Sequence, residues 1–157
     1  MPGVYISELV GIQCSIEHTP TVEKIEELHL KSGYMSQIHQ HPDAAELMFI
    51  DRGTGSVRVR EENYPVHEGD LVVYNAGEFH REVFLRSGDP PCVYALRLQK
   101  LRIYGSRDGE LLSDGLPPVF HTHAYRGLIL QGMQTILEAV GKEGDYFQRV
   151  TERVASA

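Results

Sequence analysis

The chain is 157 residues long, 41% hydrophobic and 24% charged, and its 22 acidic against 15 basic side chains leave a formal charge of −7. That length supports about one domain with a core of its own. The acidic balance argues against this segment as a binder of nucleic acid or of an anionic membrane, because both surfaces require clustered Lys and Arg.

The first residues, MPGVYISELVG, lack a basic stretch ahead of an apolar one, and no run reaches the roughly 20 residues needed to span a bilayer, so a soluble, cytoplasmic protein is expected. Cys14 and Cys92 have no CxxC spacing and read as free buried thiols of a reducing compartment. Residues 4–16 read as one or two short strands ended by the turn at 18–20, where Pro20 cannot donate to a ladder. Over 22–30, Ile25 with Leu28 suits a helix and Leu28 with Leu30 a strand; a strand is expected at the end, leading into a turn at 31–33.

From Gly33 the punctuation is regular. Strand-like runs at 34–39, 47–50, 55–60, 64–67, 71–74, 82–85 and 92–103 alternate with turn clusters, as in an antiparallel sandwich or barrel. Within the stretch 33–53, GYMSQIHQHPDAAELMFIDRG, His39 and His41 stand two apart, so on a strand both imidazoles share a face. Glu46 opens the next apolar run, and His80 lies in NAGEFH beyond a second one. Three imidazoles and one carboxylate suit a divalent first-row transition metal (Zn, Ni, Fe or Mn), with positions left for water or a ligand. The competing reading makes the four residues polar pocket liners without a metal. Burying four ionisable groups with no cation demands shifted pKa values or dense hydrogen bonding, which favours the metal. Tyr74, Glu82, Tyr94 and Arg97 are expected to line the cavity and contact a polar ligand, against the alternative that they face outward. His121 and His123 lack a nearby carboxylate and read as surface or helix-start residues.

Past residue 103 a polar, Gly- and Pro-rich connection leads to two helical patterns. Tyr125, Ile129, Met133, Ile136, Leu137 and Val140 form the first, with Gly141 as its stop; Asp145 caps a second carrying Phe147, Val150 and Val154. The plan is mainly β: a barrel over 1–104, a connection over 105–120, and a helical appendage over 121–157 whose apolar stripe is expected to make a homodimer.

Gly33, His39, His41, Glu46 and Gly53 match the first cupin motif, G-x5-H-x-H-x4-E-x6-G, at every fixed position. Gly69, Gly77 and His80 match the second, G-x5-P-x-G-x2-H-x3-N, in which Asn75 replaces the proline and Phe84 the asparagine. The chain therefore resembles the cupin superfamily. The resemblance implies a double-stranded β-helix, or jelly-roll barrel, with His39, His41, Glu46 and His80 as metal ligands. The barrel followed by a Pro-rich link and terminal helices also resembles the N-terminal effector domain of AraC-type transcription regulators. That resemblance implies a sugar or other metabolite as small-molecule effector, helices that dimerise, and DNA bound only through a C-terminal domain absent here. The alternative is a stand-alone metal-dependent cupin enzyme, an oxygenase or isomerase, with Glu82 or Tyr94 as acid or base. No lysine in the cavity strands and no Ser/His/Asp or Cys/His order suggests a nucleophile.

Overall fold

A computed structural model describes residues 3–5, 16–113 and 115–156 of the chain. In chain order the elements are β1 (Val4–Tyr5), β2 (Ile16–His18), β3 (Thr21–His29), β4 (Ala44–Arg52), β5 (Gly55–Val59), β6 (Glu62–Val66), β7 (Asp70–Tyr74), β8 (His80–Phe84), β9 (Cys92–Gln99), β10 (Arg102–Ile103), β11 (Val119–His121), a 3-10 turn (His123–Tyr125) and α1 (Arg126–Ser156). They make a six-stranded sheet in the order β1-β11-β7-β4-β9-β3, a three-stranded sheet β6-β5-β8, and the pair β10-β2. Every pairing is antiparallel except that of β1 with β11.

The inner faces of the two larger sheets share one core. Met48, Ile50, Val72, Tyr74 and Val93 from the six-stranded sheet meet Val57, Val59, Tyr64, Val66 and Phe84 from the three-stranded one. Along β5 and β6 buried residues alternate with exposed ones, because the outer face of that sheet meets water. β4 and β7 instead read as nearly continuous apolar runs, because the six-stranded sheet is covered on both sides. Its outer face receives α1: Ile129, Leu130, Met133, Ile136 and Leu137 recur at helical spacing and pack on Ile25, Phe49, Tyr94 and Leu96. Burying one such side chain as fully as Met133 contributes about 1.5–3 kcal/mol. The fold is thus a mainly β jelly-roll barrel, as the motifs imply, with its terminal helix laid against one sheet.

Four expectations change. Residues 34–39 are not a continuous strand; they pair with β8 in the isolated bridges Met35 to Val83 and His39 to His80. The Ser36 hydroxyl accepts the Glu82 backbone N–H at 2.9 Å, a position a ladder carbonyl would otherwise hold. The expected run 92–103 divides into β9 and β10 at Lys100, whose φ of 57° cannot continue a strand. Residues 119–121, the end of the expected connection and the first residue of the expected helical appendage, become β11, paired with β7. Finally, one helix replaces two: α1 continues through Gly141 to Ser156. A single glycine costs only about 1 kcal/mol relative to alanine and leaves every backbone hydrogen bond available. Cys14 and most of the expected strand at 4–16 lie outside the described residues, while Cys92 is a buried free thiol. No helix among the described residues is long and apolar enough to cross a membrane.

Candidate metal centre

His39 and His80 are joined through their backbones: His39 N–H donates to the His80 carbonyl at 3.0 Å and His80 N–H to the His39 carbonyl at 2.8 Å. This reciprocal pair holds the first histidine segment against the start of β8. His41 follows in a loop, its carbonyl accepting from Gly77 N–H at 2.9 Å. Gly77 reaches that position with φ of 80°, a conformation in which a side chain is strained. Glu46 lies on the inner face of β4, opposite Arg97 of β9. Through these connections the ring centroids of His39, His41 and His80 stand 4.3–5.5 Å apart, and their donor nitrogens all lie within 4.8 Å of one another. Glu46 Oε2 is 2.7 Å from His41 Nε2 and 4.0 Å from His80 Nε2.

Hydrogen bonds set which nitrogen of each ring carries a lone pair. His39 Nδ1 stands 2.8 Å from the Gln37 carbonyl and His80 Nδ1 2.9 Å from the Glu78 carbonyl. A carbonyl can only accept, so both Nδ1 atoms are protonated and both Nε2 atoms are acceptors in the neutral rings. His80 Nε2 is buried and has no hydrogen-bond partner. An orphaned lone pair in a buried site is costly unless something binds it. His41 is held the other way. Arg97 Nη1 donates to its Nδ1 at 3.3 Å, which leaves the proton on Nε2, facing Glu46.

The electrostatics agree with a site that resists charge by itself. Burial, then the nearby Arg97, lowers the His41 pKa to about 4. Burial, then the Glu82 carboxylate, raises Glu46 to about 7. Burial also lowers His80. The 2.7 Å contact between His41 and Glu46 has the length of an ion pair, yet both shifts favour the neutral forms, so it is a hydrogen bond between an uncharged imidazole and a carboxyl group sharing its proton with solvent near neutrality. A divalent cation would supply the charge these groups lack. With two lone pairs already aimed, a third imidazole and a carboxylate, the residues fit a cation of the zinc, iron, manganese or nickel class.

Beside this group lies an inner layer of polar side chains. The Tyr74 ring stacks on His80, and its hydroxyl donates to Glu82 Oε1 at 3.1 Å. Ser36 Oγ donates to Glu82 Oε2 at 2.7 Å. Donor atoms of Glu46, His80 and Glu82 also lie within 4.8 Å of one another. Burial, reinforced by Glu82, pushes the Tyr74 phenol well above its ordinary range, so it remains a donor. A cavity of about 110 Å³ opens here, lined in part by Leu28, Tyr34, His39, Glu46, Glu82 and Phe84. That is room for roughly three or four waters. Broader surface concavities of 770 and 750 Å³ lie elsewhere and contain none of these donors.

Of the expected ligand contacts, Tyr74 and Glu82 face this interior, and Arg97 stands at its edge between His41 and Glu26, 3.8 Å from the latter's carboxylate. Tyr94 does not. Val93 of β9 faces the barrel core, so its neighbour Tyr94 faces the other way, packed beneath α1 with Gln134 Nε2 donating to its hydroxyl at 3.4 Å. Ser36 was not among the expected residues, and nothing in its local sequence marks it, since its partner Glu82 is 46 residues away. His121 and His123 are not brought together as a donor group; His121 Nδ1 is 2.7 Å from Asp70 Oδ1, and His123 begins the 3-10 turn.

Residues 26–94 match the family model of the cupin domain. No curated protein sequence matches the chain. Among solved structures, a protein described as a predicted oxalate decarboxylase from Thermotoga maritima is 19% identical with a TM-score of 0.43, over 50% of this chain and 66% of that one. KdgF from Halomonas sp. is 20% identical with a TM-score of 0.41, over 53% of this chain and 89% of that one. Oxalate decarboxylase from Bacillus subtilis, a protein with Mn(II) centres, is 22% identical with a TM-score of 0.37, over 56% of this chain and 21% of that one. The chain thus spans less than two thirds of the first and third of these proteins.

Proposed function

We propose that this chain, whose residues 26–94 carry a cupin domain, is a divalent-metal enzyme acting on a small oxygen-bearing molecule inside the barrel. The observation that carries the reading is His80 Nε2, a buried acceptor without a partner, set beside His39 Nε2 and Glu46. His39, His41, Glu46 and His80 would hold the cation, with the His41 proton moving from Nε2 to Nδ1 on loading and the Arg97 guanidinium releasing that nitrogen. The cation would supply Lewis acidity toward a carbonyl or carboxylate oxygen. Glu82, fixed by Ser36 and Tyr74, is the residue placed to take or return a proton at the bound molecule. Each of its oxygens accepts one hydrogen bond and keeps a further lone pair free. A compact organic acid or aldehyde fits the cavity of about 110 Å³.

A second reading, a sensing domain of an AraC-type regulator, rests on α1. It is 31 residues long, and Leu128 and Val140 on it are 67% and 37% exposed. In that case the helix would join two copies, and DNA would be bound by a further domain.

The test loads the metal-stripped protein with Mn, Fe, Ni or Zn ions and follows a panel of small acids and aldehydes by thermal shift and by substrate loss. Consumption of a stabilising compound, abolished in His80→Ala together with one equivalent of bound metal, is the expected result. Stabilisation without consumption supports the sensor instead. Full metal content in His80→Ala overturns the ligand set.

A further inference from the structure

We propose that Glu27, His29 and Cys92 form a second divalent-metal site, of zinc type, on the outer face of the six-stranded sheet. Glu27 and His29 are two apart on β3 and share a face; β9 places Cys92 directly opposite His29 and Tyr94 opposite Glu27. Tyr94 packs under α1 while Val93 points into the barrel, so the three donors sit on the side of the sheet away from the centre described above. Their carboxylate oxygen, imidazole nitrogen and thiol sulfur all lie within 4.8 Å of one another, with His29 Nε2 3.2 Å from Glu27 Oε1.

Oxygen, nitrogen and sulfur donors together are a combination that zinc accepts, at distances of roughly 2.0–2.3 Å from the ion. Closing onto such an ion takes only rotation of the two solvent-facing side chains. Those of His29 and Glu27 are 63% and 39% exposed, whereas Cys92 is 1% exposed and supplies a fixed sulfur beneath them. A fourth position remains open to solvent.

Two neighbours support the donors. Tyr94 on β9 stands opposite Glu27, and Arg52 on β4 stands opposite Cys92. The carboxylate and a thiolate would neutralise the divalent charge, and Asp51 beside Cys92 offsets Arg52. Burial holds the thiol above its ordinary pKa, so loading releases its proton to solvent as the sulfur–metal bond forms. As a bare pair, exposed Glu27 and His29 would contribute little to stability and would need no cysteine below.

Cobalt(II) distinguishes this site from the barrel, whose donors contain no sulfur. The full chain, stripped with chelator and kept reduced with a phosphine, is titrated with Co²⁺ and followed by absorbance. Binding at Cys92 is expected to give a thiolate-to-cobalt charge-transfer band in the near ultraviolet, present in His80→Ala and Cys14→Ser and absent in Cys92→Ser. His29→Ala, a change at an exposed position that leaves the fold intact even if Cys92→Ser does not fold, is expected to weaken uptake by at least about 10-fold, the loss seen even for residues behind a ligand. Absence of the band in the wild-type chain overturns the proposal. So does a band that survives in folded Cys92→Ser, or one unmoved by His29→Ala.

Discussion

Tyr74 lies flat against His80, with ring centroids 3.7 Å apart and planes inclined by 12°, while the same tyrosine's hydroxyl holds Glu82. One side chain thus fixes the orientation of a candidate metal ligand and of the candidate proton carrier. The two functions separate by substitution. Tyr74→Phe keeps the stacked ring and removes the hydrogen bond, so it is expected to cost about 1 kcal/mol in urea unfolding and to retain metal. Tyr74→Ala leaves a void beside His80 and is expected to cost roughly 3–5 kcal/mol with reduced metal content. Equal metal loss in both variants would mean that the stacked ring does not position the ligand.

Ser36 is expected to matter more than its exposed, irregular segment suggests. Ser36→Ala removes a donor to Glu82 Oε2 and the acceptor of the Glu82 N–H together. A cost of roughly 1–3 kcal/mol follows from the unsatisfied groups. Turnover of any identified substrate should fall more steeply than stability, with metal content unchanged. Unaltered turnover would remove Glu82 from the reaction.

The metal-free protein should show a pH dependence traceable to Glu46. Its pKa is raised from 4.5 to about 7, so the folded state binds the proton more tightly than the unfolded chain. Stability relative to Glu46→Gln should therefore decline as pH rises from about 4.5 to about 7 and stay level beyond. His41, lowered from 6.5 to about 4, acts in the opposite sense: its contribution is lost as pH falls from 6.5 to about 4. His80, also lowered, adds to that acid-side loss. Melting temperatures of both proteins in chelator across this range test the prediction; parallel curves would show that Glu46 is not the group responsible.

The two faces of α1 predict different outcomes. Met133 packs on the sheet, so Met133→Ala should lower stability by about 2–5 kcal/mol. Leu128 is 67% exposed, so Leu128→Asp should leave the melting temperature of a monomer unchanged. If α1 joins two copies as proposed, that substitution shifts sedimentation from dimer toward monomer. Ile129, although expected on the dimer stripe, packs toward the sheet and would report on folding instead.

The barrel and the grouping of its candidate metal donors were legible because both depend on short-range spacing. A histidine pair two apart, a carboxylate five residues on, and glycines where the chain must turn are local features, and each motif keeps them in order. The alternation on β5 was legible for the same reason, since one of its faces meets water. On β9 that signal vanishes. Both faces of its sheet are covered, so apolar residues occupy both parities, and nothing local says whether Val93 or Tyr94 looks inward. Packing of α1 on one side decided it, and with it the exclusion of Tyr94 from the cavity. Ser36 meeting Glu82, Arg97 setting the His41 proton, and Cys92 lying under His29 likewise join residues 46, 56 and 63 positions apart. Residue spacing along the chain determines which side chains share a face of one strand. Which faces meet, and which proton each ring keeps, follows only from the register between strands distant in sequence.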